Sequence, residues 1–340
     1  GIAFSTDHGV DGLRAQVVRK VLLTAFVVAL GDHVPASLTS VDLASQQVAR
    51  AAAVALANTW RSRRGLTQSY RRWAGRVATE IGVRTLTLDL EALFRSTTFL
   101  TIEQQLQRAV EMQLTERATQ ALLERVQARQ ATFWPEVDPL VKMRWDVIID
   151  AAQGLLEAGR IGSALKRGDW RAETLVARYA YGEQEDPWCL MDSVQRWLER
   201  DYYTFELDTQ QHDSLIQLVA AARQAYAEAV NRLTKKFLDA YEQAAFHLPN
   251  VLQQVDVYRD IVEPERIQHG WVAYVLVDAL RFEMACELSR EHLKDQEDWE
   301  VDLRAALATP PTVTEVGMTA LLPGAERGLV LSQSKNRLTP

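Results

Sequence analysis

Two residues near the end of this 340-residue chain could do chemistry together: Asp278 and Thr314. Asp278 closes the run Trp271-Val-Ala-Tyr-Val-Leu-Val-Asp278-Ala-Leu-Arg281, which is apolar and rich in β-favouring residues. Such a run, apolar on both faces, predicts a central parallel strand buried between helices. Ligands of open α/β sheets sit just beyond the carboxyl ends of strands, where Asp278 falls. Thr314 follows Pro310-Pro311-Thr312-Val313 and opens a short helix over residues 315–322, closed by Pro323-Gly324. Free N–H groups in the first turn of that helix favour an anion, and Thr312 lies in the same turn. A threonine hydroxyl is a weak nucleophile unless a base or a metal activates it. Asp278 is the carboxylate that could hold such a metal, so the pair sketches a phosphoryl-transfer site.

The elements that must position this pair are a strand over residues 271–281, a helix over 282–293 and a second strand over 299–308. Trp299-Glu-Val-Asp-Leu-Arg304 alternates as a strand does. Strand, helix and strand in that spacing read as a βαβ unit with parallel strands and a right-handed crossover. The expected fold class is therefore a mainly α-helical region, residues 1–262, followed by the first part of an α/β domain, residues 263–340.

At this point the residues resemble a known family. Leu276-Val-Asp278-Ala-Leu-Arg281, followed by Pro311-Thr-Val-Thr314-Glu-Val-Gly-Met-Thr-Ala-Leu-Leu-Pro-Gly324, is similar to the PglZ domain, an alkaline-phosphatase-superfamily domain of BREX and Pgl phage-defence systems. The resemblance implies that Asp278 binds a divalent metal, zinc or manganese, that Thr314 is the nucleophile, and that Thr312 lies on the phosphate side. It implies partners in a BREX-like complex, and a metal-dependent phosphatase or phosphodiesterase as the parent. Enzymes of that superfamily complete two metal sites with downstream Asp and His residues. After Gly324 this sequence has Glu326 and no histidine. One aspartate cannot build two metal sites. The chain, read as a piece of a longer protein, is expected to hold no metal and to be inactive by itself. The other reading is a non-catalytic helical scaffold that docks defence partners or nucleic acid.

The upstream residues show helical periodicity. Apolar positions over 9–30 and 215–246 recur at helical spacing, and helices are also expected over 140–158, 169–181 and 188–200. Residues 21–30 are apolar but too few to span a bilayer, so a buried core helix is expected there. Ser40 or Thr39 could cap the next helix, and Thr101-Ile-Glu-Gln104 has the capping-box pattern. Gly159-Arg-Ile-Gly162 reads as a break, Thr132-Phe-Trp-Pro135 as a turn, and residues 83–90 as a short strand or linker.

Arg61, Arg63, Arg64, Arg71, Arg72 and Arg76 are interleaved with Trp60, Tyr70 and Trp73. Arginines and aromatics together can grip phosphates and stack on bases, which suggests weak nucleic-acid contact. A solvated face with its rings turned inward fits the acidic net charge of -7 better. Glu183, Glu185 and Asp186 read as a solvated turn rather than a metal site. His8, His33, His212 and His247 stand singly, as structural or exposed residues do. Cys189 and Cys286 lie far apart outside any Cys-x-x-Cys motif. That points away from a zinc finger or disulfide framework and towards a reducing, cytoplasmic setting.

Overall fold

The computed structural model describes residues 10–38, 42–182, 186–208, 213–293, 299–328, 332–334 and 337–339. The expected caps at Thr39 and Ser40, the acidic Glu183 and Glu185, and His8 and His212 lie outside these residues. By contact the chain divides into two units, residues 1–156 with 197–225, and residues 157–196 with 226–340.

The first unit is helical: α1 (Val10–Leu30), α2 (Gln47–Ser62), α3 (Thr67–Glu80), α4 (Leu90–Arg95), α5 (Leu100–Glu116), α6 (Gln120–Arg129) and α7 (Phe133–Val137). It also holds the opening of α8 (Pro139–Arg167). Residues 21–30 form the buried part of α1, with Leu22, Leu23, Phe26 and Leu30 fully enclosed. No helix among the described residues is long and apolar enough to cross a membrane. Phe26 packs edge-on against Phe99 with ring centroids 5.1 Å apart, and Tyr70 against Phe133 at the same separation.

Three local expectations change. The helix at Thr101 begins instead at Leu100, with Phe99 at its N-cap and no side-chain cap bond. Glu103, inside the same motif, is turned inward, where Arg129 and the Trp145 indole hold it. Thr132-Phe-Trp-Pro135 leads into the one-turn helix α7, because Pro at an early helical position lacks only an N–H that has no partner there anyway. In α8 the helix passes through Gly159 and Gly162 without a break. A helical glycine costs only about 1 kcal/mol, and Ile161 and Leu165 bury the face beyond it.

Asp150 in α8 is buried with one carboxylate oxygen unpartnered. Burial first, and then the neighbouring Asp201, push its pKa up to about 8. The folded state therefore keeps a proton that the unfolded chain releases near the ordinary carboxylate pKa of about 4. Stability attributable to this group falls as pH rises from about 4 to about 8, then levels. Asp150→Asn should raise the unfolding free energy at pH 8, by an amount of order a few kcal/mol at most, and leave it nearly unchanged at pH 4. Urea titrations at the two pH values check this; an equal effect at both would contradict it.

The second unit contains α9 (Ala172–Ala180), the opening of α10 (Leu190–Asp208) and the later part of α11 (Asp213–Gln243). Then come α12 (Glu263–His269), α13 (Phe282–Leu288) and α14 (Thr314–Ala320). Its core includes Leu175, Trp188, Met191 and Val194, and Trp188 meets Trp170 edge-on at 5.3 Å.

The α/β expectation is overturned. Residues 271–281 and 299–308 do not pair as parallel strands. Among the described residues the only ladder is a short antiparallel hairpin, β1 (Ser332–Ser334) with β2 (Arg337–Thr339). A single parallel bridge joins Gln253 to Leu307. The run at 271–281 is uncovered: Trp271 is 82%, Val275 76% and Val277 57% exposed. Apolar patterning states what a segment can bury, but a strand also needs neighbours for its N–H and C=O groups. Parallel strands in particular need several partners and helices on both faces. Among the described residues neither condition is met, so both segments stay outside any sheet.

Candidate active site

The structure brings Asp278 and Thr314 together although the sheet expected to align them is absent. The Thr314 hydroxyl donates to Asp278 Oδ2 at 3.4 Å, a long and weak hydrogen bond. Both residues are exposed and line a cleft of about 380 Å³ with Thr312, Gln254, Arg281 and Met318. Thr314 is the first residue of α14, and Val313 precedes it as an N-cap without a side-chain bond.

Side chains and single backbone contacts do the positioning that a sheet would otherwise do. Gln254 clasps two segments: its amide donates to the Gly317 carbonyl in α14 at 3.2 Å, and its carbonyl accepts from the Thr309 N–H at 3.0 Å. The Gln254 N–H also donates to the Leu307 carbonyl. Tyr274 ties the other side, its hydroxyl donating to the Leu321 carbonyl at 3.1 Å. Sequence reasoning missed both residues. Tyr274 was legible as the one polar-tipped residue in an apolar run, whereas Gln254, in an irregular loop, gave no signal. Arg281, quoted in the motif without a role, is the cleft's cation, and its Nε lies 2.7 Å from the buried Glu283.

Ala279, directly after Asp278, has φ of +58°. A side chain with a Cβ is strained in that left-handed region by roughly 1 kcal/mol. The turn follows directly on Asp278, whose carboxylate meets Thr314. Ala279→Gly should raise thermal stability by about 0.5–1 kcal/mol; a loss of stability would show that Ala279 is held there by packing that glycine cannot supply.

The donors present do not fit a complete metal centre. Asp278 and Thr314 offer two oxygens, and a catalytic zinc takes three protein ligands. Among the described residues no group of three or more His, Cys, Asp or Glu side chains could hold a metal. Asp186 is exposed. His33 pairs with Asp89 at 2.8 Å and His269 with Glu265 at 3.3 Å.

The arginine-rich stretch uses its rings and half of its cations internally. The Arg61 guanidinium donates to the Thr97 carbonyl at 3.0 Å and contacts Thr97 Oγ1 and Asn58 Oδ1. Arg71 pairs with Asp138 at 2.7 Å, and Arg76 with Glu80 at 2.9 Å. Tyr70 is fully buried, its hydroxyl bonded to the Thr98 carbonyl, and Trp60 packs edge-on against it. Arg63, Arg64 and Arg72 are exposed. The rings that base stacking requires are thus committed to the core or its margin.

Two comparisons with known proteins find matches to this chain. Residues 257–337 match the family described as the BREX system PglZ alkaline phosphatase-like domain, a stretch that includes Asp278 and Thr314. The chain is 25% identical over 301 residues to the alkaline phosphatase-like protein BrxZ of Escherichia coli O9:H4 (strain HS), covering 81% of this chain. Together the two matches support a PglZ-type protein of BREX systems. The chain spans about a third of the length of that relative, 32%. No solved structure matches it.

Proposed function

We propose that the chain is part of a BREX-type defence protein and that Asp278 and Thr314 are its share of a phosphoester-hydrolysing site. The reading rests on the hydroxyl–carboxylate contact at 3.4 Å, which joins two motif residues distant in sequence within one cleft. In this reading Thr314 is the nucleophile, the Asp278 carboxylate orients its hydroxyl, and Thr312 and Arg281 face the anionic oxygens of the ester. Asp278 also contributes one ligand towards zinc or manganese, whose remaining ligands come from the longer parent. The chain alone is correspondingly inactive, and its partners are other proteins of the defence complex.

The test is hydrolysis of a nitrophenyl phosphodiester by the longer parent with added zinc or manganese, wild type against Asp278→Asn. The expected outcome is metal-dependent turnover that the substitution abolishes. Equal rates for the two proteins would reject the assignment. For Arg63, Arg64 and Arg72, gel shifts with short duplex DNA across a salt series are expected to show at most weak, salt-sensitive binding. Tight binding that persists at high salt would contradict that expectation.

A further inference from the structure

The chain contains two cysteines, widely separated in sequence, and the fold brings them together. Cys189 is buried in the turn before α10, and Cys286 is half-buried in α13. Each thiol lies near enough to the other to shift its proton affinity. Other contacts hold the same elements in place. Glu287, next to Cys286, pairs with Arg196 of α10. Phe282, the first residue of α13, packs edge-on against Tyr181 at 6.3 Å. The start of α10 is pinned through Asp192, which accepts from the Tyr179 and Tyr226 hydroxyls, each at 2.7 Å. The thiols therefore face each other across a packed junction. Neither lines the Asp278 cleft.

We propose that Cys189 and Cys286 form a redox pair that closes to an intramolecular disulfide by exchange with a low-molecular-weight disulfide. Cys286, the more accessible, loses its proton to water, and its thiolate attacks one sulfur of the small disulfide. That S–S bond breaks, a mixed disulfide forms on Cys286, and one small thiolate leaves. Cys189 then loses its proton and attacks the Cys286 sulfur, displacing the second small thiolate. The two thiolates take up the two protons released. Two electrons pass from the cysteine pair to the oxidant, leaving one protein disulfide and two small thiols. The closed bond ties α13, which starts directly after Arg281, to the turn before α10. A cross-link between residues so far apart restricts the unfolded chain strongly.

The surroundings set the rate. Burial first, then the facing Cys286 and the carboxylates of Asp192 and Glu283, push the Cys189 thiol up to about 12. Burial likewise raises Cys286, against the neighbouring Cys189 thiol and the Arg290 cation, which lower it. Exchange should therefore be slow at neutral pH and quicken as pH rises, approaching tenfold per unit.

The test treats the chain with oxidised glutathione at pH 7, 8 and 9, blocks remaining thiols with N-ethylmaleimide, and maps peptides without reduction. The expected product is the Cys189–Cys286 cross-linked peptide, forming faster at higher pH, undone by dithiothreitol, with a melting temperature several degrees above that of the reduced chain. Cys189→Ser should instead accumulate a stable glutathione adduct on Cys286. Stable adducts on the wild type, interchain disulfides, or two thiols still free under conditions that oxidise the denatured chain would each overturn the proposal. The readout involves no phosphoester, so its outcome is separate from that of the proposed hydrolase site.

Discussion

Thr314→Ala is expected to lower phosphodiester hydrolysis by the longer parent about 10³-fold or more while leaving the fold intact. Thr314 is exposed at the start of α14, and its hydroxyl makes one long hydrogen bond, to Asp278. Removing it leaves no buried group unsatisfied, so stability should change by less than about 0.5 kcal/mol. Thr314→Ser keeps the nucleophilic oxygen and should retain a measurable fraction of the rate. That contrast separates a nucleophile from a residue that merely fits the turn. If alanine and serine variants were equally active, the oxygen would not be the attacking atom.

The largest stability effect is expected at Arg129. Its guanidinium reaches Glu103 at 2.5 Å, with side chains 4% and 0% exposed. It also donates to the carbonyls of Phe94 and Ser96, joining the end of α6 to the end of α4 and the residue that follows it. Arg129→Met fills similar space but leaves the Glu103 charge buried with, among the described residues, the Trp145 indole as its remaining side-chain partner. Breaking a buried pair from one side costs about 3–5 kcal/mol. Pairing Arg129→Met with Glu103→Leu should recover part of that loss, because no uncompensated charge remains. Urea denaturation of the single and double variants measures both. A single-variant loss under 1 kcal/mol would mean that water reaches Glu103.

The helices and the proximity of Asp278 to Thr314 were legible in the sequence for different reasons. Helical periodicity is a local property, and it located α1 and α11. Asp278 and Thr314 were legible because motif order ties them to the ends of neighbouring segments. The sheet was misread because apolar content at residues 271–281 says nothing about whether partner strands are present. Gln254 replaces part of that missing alignment, and a glutamine in a loop carries no periodicity to reveal its two clasps. Glu103 shows the same limit: nothing local reveals that a distant arginine holds it inward. The meeting of Cys189 with Cys286 was invisible for the same reason, since only the tertiary fold brings them together.

The most direct measurement is a double-mutant cycle on hydrolysis, comparing Asp278→Asn, Thr314→Ala and both together. If carboxylate and hydroxyl act in one site, the double variant should be no slower than the slower single variant. If the two losses instead multiply, Asp278 and Thr314 work independently and the shared site is wrong.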